Sequence, residues 1–536
     1  MKSIYGKPVS ILILILLTGC AGATSTSEPV LSTPRPTRNP VATESITVLP
    51  NENRPNFLIV LTDDLDARLG TLDNMHHVKE LLIDKGTIIR DYFVSDPTCC
   101  PSRASILRGQ YTHSHLIYTS EPADGFGQFY NLNYDSSTVA TWLQAAGYRT
   151  IYLGKYLNGY PLPDDRTYVP QGWDEWYSPA RGKPYVGFNY TLNENGLLAP
   201  YGSVAEDYLI DILSKQAEEF LRNPDTTSEP FFMFVAPFQP HEPAEPAQRH
   251  SQLFLDLTAP RTPSFNEADV RDKPGFISLD PLLTMKEIDD LDYLFIRRVQ
   301  SMQSVDEMVE RLLAALEDTG ELKNTYIIFT SDNGFHLGQH RMKSGKSTPY
   351  EEDINVPFII RGPGIASGRI VEGYLSGNVD ISPTLADLAG IVPPAYIEGR
   401  SLVPLFDENP PSRMDWRQAY LIEYYSGGFE DQTGALQFVK QPRKDQDGIL
   451  EPTDEDQFRL SNPTLAYQGL RTTDHLYVEY NDGFVELYDL KLDPFELENI
   501  ASNAEPDLLA RFSTWLEQYH VCKGAVCLTV DRQYLP

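Results

Sequence analysis

Four runs of strand length, each almost wholly apolar and each ending in polar residues, constrain the fold of this chain more than any other feature. Asn56-Phe-Leu-Ile-Val-Leu-Thr62 runs straight into Asp63-Asp64, and Thr150-Ile-Tyr-Leu-Gly154 into Lys155. Phe231-Phe-Met-Phe-Val-Ala236 leads on to His241, and Tyr326-Ile-Ile-Phe-Thr-Ser331 to Asp332-Asn333. A strand apolar on both faces must be covered on both faces, the condition of a parallel sheet with helices above and below. The carboxyl ends of such strands are where open α/β sheets place ligand sites. Between the runs lie helical segments, Ser136 to Ala146 and the long amphipathic stretch Lys286 to Leu316, with apolar positions at helical spacing. The pattern predicts an α/β fold, a doubly wound and mostly parallel sheet flanked by helices.

The character changes after about residue 410. Leu476-Tyr-Val-Glu-Tyr480 and Phe484-Val-Glu-Leu-Tyr488 flank Asn481-Asp482-Gly483, a hairpin signal. Residues 54–410 are therefore read as the main domain, and 411–536 as a smaller antiparallel α+β subdomain with a terminal helix near Pro506 to Tyr519. At the other end, Lys2 and Lys7 precede Ile11 to Leu17, an apolar run too short to span a membrane comfortably. It reads as an export signal over 1–20. Residues 21–53, rich in Ser, Thr, Pro and Asn, read as an extended, disordered tether.

The chain has five cysteines, and their contexts differ. Cys100 reads as a buried thiol, and Cys522 with Cys527 as a short-range disulfide pair in an exported protein. The net charge of −31, without a basic stripe, argues against nucleic acid as a partner. It also slows encounter with polyanions, so an anionic substrate would need a local basic pocket.

Chemistry concentrates at the strand ends. Asp63 and Asp64 repel one another unless a cation or protons intervene, and hard oxygens suit calcium or magnesium better than zinc. An isolated Asp-Asp pair can equally cap a helix or sit in solvent. A second strand ending in Asp332-Asn333-Gly334 supplies another carboxylate and an amide oxygen, enough to close one cage. In Cys99-Cys100-Pro101-Ser102-Arg103, Pro101 suits a first helical position whose amides can hold an anion. The plainer alternative is a structural Cys-Cys pair. Phe126, Phe129 and Tyr130 fit either stacking on a sugar or core packing.

Cys99-Cys100-Pro101-Ser102-Arg103, continued by Ala104 to Gly109, resembles the signature of the formylglycine-dependent sulfatases, of the alkaline phosphatase superfamily. Glu486-Leu-Tyr-Asp-Leu-x-x-Asp493-Pro-x-Glu496-x-x-Asn499 resembles that family's C-terminal motif. The resemblance implies that a formylglycine-generating enzyme oxidises Cys99 to formylglycine (3-oxoalanine), whose hydrate attacks sulfur. It implies one divalent metal, calcium rather than magnesium, held by Asp63, Asp64, Asp332 and Asn333 together with the residue at position 99. Arg103 would stabilise the alkoxide, while Lys155 and Lys346 bind the sulfate and His241 meets its bridging oxygen. Where many relatives carry a histidine just after the strand-end lysine, this chain has Leu157 and Asn158, so the base of the second step falls to His113, His115 or His336, with His336 best placed.

Gly154-Lys155-Tyr-Leu-Asn158 and Gly345-Lys346-Ser-Thr-Pro-Tyr350-Glu351 look like the branch containing N-acetylglucosamine-6-sulfatases and extracellular heparan 6-O-endosulfatases. That implies a sulfated carbohydrate or aryl sulfate as substrate, with the segments near 242–285 and 424–460 shaping the leaving-group pocket. Leu17-Thr18-Gly19-Cys20 resembles the bacterial lipoprotein box, which implies lipidation at Cys20 and an exported protein of the cell envelope anchored only by that lipid. Two other readings stand beside this one: a phosphonate monoester or phosphodiester hydrolase of the same superfamily, and a non-catalytic sulfoglycan-binding lipoprotein.

Overall fold

The four apolar runs become four adjacent parallel strands. A computed structural model describes residues 47–48, 54–226, 229–425, 428–430, 436–438 and 466–533. The leader 1–20 with Cys20, nearly all of the tether and most of the 424–460 loop lie outside the described residues. Thr47–Val48 pairs antiparallel with Ile391–Val392, so the folded body takes up chain ahead of Arg54.

The main sheet has ten strands. In chain order they are β1 (Asn56–Thr62), β2 (Thr87–Ile89), β3 (Arg149–Gly154), β4 (Glu175–Gly182) and β5 (Tyr190–Glu194). They continue with β6 (Leu197–Pro200), β7 (Phe231–Ala236), β8 (Thr325–Ser331), β9 (Phe358–Arg361) and β10 (Arg369–Val371). Across the sheet the order is β10-β2-β9-β8-β1-β7-β3-β4-β5-β6. The centre, β8-β1-β7-β3-β4, is parallel throughout. Antiparallel pairing enters on either side, through β9 against β8 and β2, and through β5 and β6.

Alternation along the strands divides the core into two layers. Leu58, Val60, Ile151, Leu153, Met233, Val235, Ile327 and Phe329 pack under α3 (Leu209–Arg222) and α4 (Met285–Thr319). Phe57, Ile59, Leu61, Tyr152, Phe232, Phe234 and Ile328 face α1 (Cys99–Arg108), α2 (Val139–Ala145) and α5 (Ile381–Leu388). Burying each large apolar side chain contributes about 1.5–3 kcal/mol, which outweighs intrinsic propensities of a few tenths and fixes the strands to both layers. The long helix α4 starts on a Thr284/Glu287 capping box and stops at Gly320, where φ is +82°.

The C-terminal part forms a four-stranded antiparallel sheet: β11 (Ala419–Tyr424), β12 (Tyr467–Thr472), β13 (His475–Tyr480) and β14 (Val485–Asp489). The expected hairpin is β13–β14. Helix α6 (Pro506–His520) packs Phe512, Trp515, Leu516 and Tyr519 onto this sheet, in one cluster with Tyr111 and Tyr350 of the preceding part. Cys522 and Cys527 are joined as a disulfide just after α6.

Candidate active site

Sheet register brings the acidic strand ends together. Ser331 is paired with Thr62, so Asp63-Asp64 and Asp332-Asn333 leave the sheet side by side, and the Asp332 N–H donates to the Thr62 carbonyl at 3.2 Å. On the other flank, Gly154 pairs with Ala236, and the next residue, Lys155, donates its N–H to Ala236 O at 2.8 Å. A Cβ on Gly154 would lie 2.0 Å from that carbonyl oxygen, and its φ is +108°, so glycine is required there. His241 follows β7 in a turn that starts at Phe238, whose carbonyl accepts the His241 N–H at 3.0 Å.

Helix α1 delivers Cys99 as its first residue, after an extended Thr98, and closes on Gly109 with φ +65°. Pro101 thus sits third rather than first in the helix. The shift is harmless, because the first four N–H groups of a helix lack intrahelical acceptors in any case. Cys99 Sγ lies 3.2 Å from Asp63 Oδ1 and accepts from Lys346 Nζ at 2.8 Å. Burial, reinforced by the Asp63 carboxylate, pushes the thiol well above its ordinary value. A cysteine here stays protonated, which makes it a poor nucleophile in that form.

Three cations are interleaved with three carboxylates. Lys155 Nζ donates to Asp63 Oδ2 at 2.7 Å, and Lys346 Nζ to Asp64 Oδ1 at 2.5 Å. Arg103 Nε donates to Asp332 Oδ2 at 2.7 Å, its Nη1 to Lys155 O at 2.6 Å, and its Nη2 stands 3.9 Å from Asp63 Oδ1. All six side chains are buried. Burial alone would raise the Asp64 carboxyl, but Lys346, His241 and Lys155 hold it well below the ordinary carboxylate range. Asp332 goes the other way, pushed up to about 6 chiefly by burial and by the neighbouring Asp63 and Asp64 despite Arg103.

The cage fits a hard divalent cation. Asp64 Oδ2 and Asn333 Oδ1 are buried yet accept no hydrogen bond, although Asn333 Nδ2 donates to Asp64 Oδ1 at 2.7 Å. Buried polar atoms without partners are rare, and a carboxylate and an amide oxygen beside the carboxylates of Asp63 and Asp332 are a donor set such an ion takes. Asp63, Asp64, Cys99 and His241 each place a ligand atom within 4.8 Å of the others, and His241 Nε2 stands 3.7 Å from Asp64 Oδ2.

The three histidines considered for the second step part company. His115 binds Ser105 Oγ at 3.0 Å, and burial lowers its pKa to about 3. His113 is paired with Glu423 at 2.8 Å and bonded to Cys522 O, at the C-terminal sheet. Neither hydrogen-bonds to a member of the Cys99 cluster. His336 is braced through Nδ1 by both oxygens of Asp353 at 3.0 Å, on a short strand paired with Ser344–Gly345 next to Lys346. Phe126 and Phe129 are fully buried, so for them packing, not sugar stacking, is the outcome.

Two contributors escaped the sequence. Tyr185, from a turn between β4 and β5, lies with its ring centroid 5.1 Å from Lys155 Nζ and 4.6 Å from the His241 ring. Arg298, buried on α4, donates to Asp64 O at 2.6 Å and to Pro240 O at 3.2 Å, which holds Asp64 at φ +67°. An aromatic in a loop and an arginine in a long helix carry no local mark that distinguishes them.

A doubly wound sheet with this cluster at its carboxyl edge has the alkaline phosphatase-like fold. A solved protein bound to its substrate D-glucosamine-2-N,6-O-disulfate superposes with a TM-score of 0.65 at 24% identity, covering 87% of this chain and 97% of its own. The sequence profile of the sulfatases matches residues 55–391, and the chain belongs to the sulfatase family, among the sulfuric ester hydrolases. Human N-acetylglucosamine-6-sulfatase is 34% identical over 487 residues, 89% of this chain and 86% of the human one. An extracellular sulfatase SULF-1 homolog of Drosophila melanogaster is 38% identical over 376 residues, 69% of this chain. That match spans 33% of the fly protein's own length.

Proposed function

We propose that this protein removes sulfate from a sulfated amino sugar of the N-acetylglucosamine 6-sulfate kind, through formylglycine at position 99. The observation that carries the reading is the placement of Cys99 Sγ between Asp63 and Lys346, with Lys155 on the same carboxylate. Asp63, Asp64, Asp332 and Asn333 would hold a calcium ion, which when bound offsets the charge of the anionic ester. Lys155 and Lys346 orient the sulfate, and Arg103 stabilises negative charge on the nucleophilic oxygen. One hydroxyl of the formylglycine hydrate, its proton lost to solvent, would bond through oxygen to sulfur as the ester S–O bond breaks, with His241 giving a proton to the departing sugar oxygen. The second hydroxyl then loses its proton, the carbonyl re-forms, and sulfate departs. His336, aligned by Asp353, is assigned to accept that proton.

Two features support an exported protein: the leader with its lysine-flanked apolar run, and the Cys522–Cys527 disulfide. Lipidation at Cys20 would tether it to a bacterial envelope. Among the described residues no helix is long and apolar enough to cross a membrane. The substrate class rests on the amino-sugar sulfatase named among the relatives and on the Lys155 and Lys346 motifs. The test compares N-acetylglucosamine 6-sulfate, an aryl sulfate and a phosphonate monoester, with protein made alongside a formylglycine-generating enzyme. Sulfate release from the amino sugar, at least tenfold more efficient than phosphonate hydrolysis, is expected; a preference for the phosphonate would overturn the assignment.

A further inference from the structure

A second group of ligand-type side chains lies apart from the Cys99 cluster, and nothing in the sulfatase reading uses it. His340, Glu352 and Glu496 each place a donor atom within 4.8 Å of the others, and all three residues are buried. His340 Nε2, Glu352 Oε2 and Glu496 Oε1 are all without a hydrogen-bond partner. Three adjacent orphaned buried atoms, two on carboxylates, is a costly arrangement unless something binds them.

The surroundings narrow what that is. The neighbouring cations are engaged elsewhere: Arg68 and Arg471 both bind Glu351, while Lys273 lies 3.1 Å from Asp272 and 3.9 Å from Glu267. Among the described residues neither Glu352 nor Glu496 has an ion-pair partner. His340 Nδ1 is held by Glu267 Oε2 at 2.7 Å, which leaves Nε2 as its free donor. A carboxylate bracing the far nitrogen of an imidazole is how proteins orient histidine ligands. Glu496 Oε2 is fixed by the Glu351 N–H at 3.2 Å, and Glu352 Oε1 by Ser264 Oγ at 3.4 Å, so each acid offers its remaining oxygen. His340 and Glu496 both hold left-handed backbone, φ +50° and +55°, a conformation that costs free energy at a non-glycine residue.

We propose that His340, Glu352 and Glu496 form a second, structural cation site that binds a divalent ion of the zinc class. One imidazole nitrogen with two carboxylates suits zinc or a similar first-row ion, unlike the all-oxygen cage at Asp64 and Asn333. A divalent cation would take the orphaned imidazole nitrogen and both orphaned carboxylate oxygens at once. Its place in the chain gives the site a purpose. His340, in the turn between His336–Leu337 and Ser344–Gly345, and Glu352 lie on either side of Lys346 in the chain, whereas Glu496 follows β14 of the C-terminal sheet. An ion here clamps the C-terminal part onto the loop that presents Lys346.

The test uses the full chain in calcium-replete buffer, incubated with zinc and then desalted. Elemental analysis is expected to find one zinc per chain, retained in Cys99→Ala and lost in His340→Gln. A crystal of the zinc-loaded protein should show an anomalous peak at the zinc edge among His340, Glu352 and Glu496. A zinc-selective chelator should lower the melting temperature of the wild type while calcium remains bound. If His340→Gln fails to fold, the anomalous peak and wild-type stoichiometry decide. Absence of bound zinc, or zinc found at another position, would overturn the proposal and leave the trio bridged by protons or water.

Discussion

Replacing His113 by asparagine should make the protein lose stability at neutral and mildly acidic pH and much less at alkaline pH. Burial alone would lower the His113 pKa, but the Glu423 carboxylate at 2.8 Å more than offsets it and raises the value from 6.5 to about 9. Burial alone would raise the Glu423 carboxyl, but His113 first, and then His520 with Nδ1 at 3.6 Å, hold it below the ordinary carboxylate range. A folded-state value above the unfolded one means that the native state holds the proton more tightly. The stabilisation is therefore complete below about pH 6.5 and disappears as pH rises to about 9. At ~1.4 kcal/mol per pH unit, that interval corresponds to roughly 3 kcal/mol. The side chain is only 6% exposed, so solvent screening takes little from this figure.

The assay is urea unfolding of wild type and His113→Asn followed by tryptophan fluorescence, at pH 6 and pH 9. Titrating groups outside the His113, Glu423 and His520 cluster cancel in the difference between the two proteins. That difference should be about 3 kcal/mol at pH 6 and shrink by most of that amount at pH 9. An equal difference at both pH values would refute the charged pairing and reduce His113 to a neutral hydrogen-bonder.

Asp332→Ala should weaken calcium binding and turnover together, because it removes a wall of the cage and the partner of Arg103; calcium titration of activity should need at least tenfold more ion, and an unchanged titration would remove Asp332 from the site. Gly154→Ala places a methyl group 2.0 Å from the Ala236 carbonyl and should displace Lys155. A fall of at least tenfold in kcat/KM in folded protein is expected, whereas wild-type kinetics would show that the strand end does not set the position of the lysine.

Much of the site was legible because its members are consecutive with strand ends. An apolar strand that stops at Asp63-Asp64 declares both its burial and its polar terminus, and the same holds for Asp332-Asn333 and Lys155. Parallel pairing of β8 with β1 then does the rest, since alignment of Ser331 with Thr62 forces the acids together. What the sequence hid depends on long-range packing. Arg298 is fourteen residues into α4 and looks like any helical arginine, yet it holds the Asp64 backbone. The β5–β6 hairpin carries a local mark in Asn195-Gly196, both at positive φ between Glu194 and Leu197, whereas the antiparallel pairing of β9 has none, because a short apolar strand reads the same whichever way it runs. His113 and His115 are engaged instead by Glu423, distant in sequence, and by Ser105 of α1, contacts that the sequence does not announce.

The most direct measurement is peptide mass spectrometry across Asp96 to Arg108, coupled to sulfate release, on protein produced with an active formylglycine-generating enzyme. The account predicts an aldehyde at position 99, sulfate release that rises with the converted fraction, and none from Cys99→Ala. Full turnover by Cys99→Ala, or by unconverted protein, would contradict it.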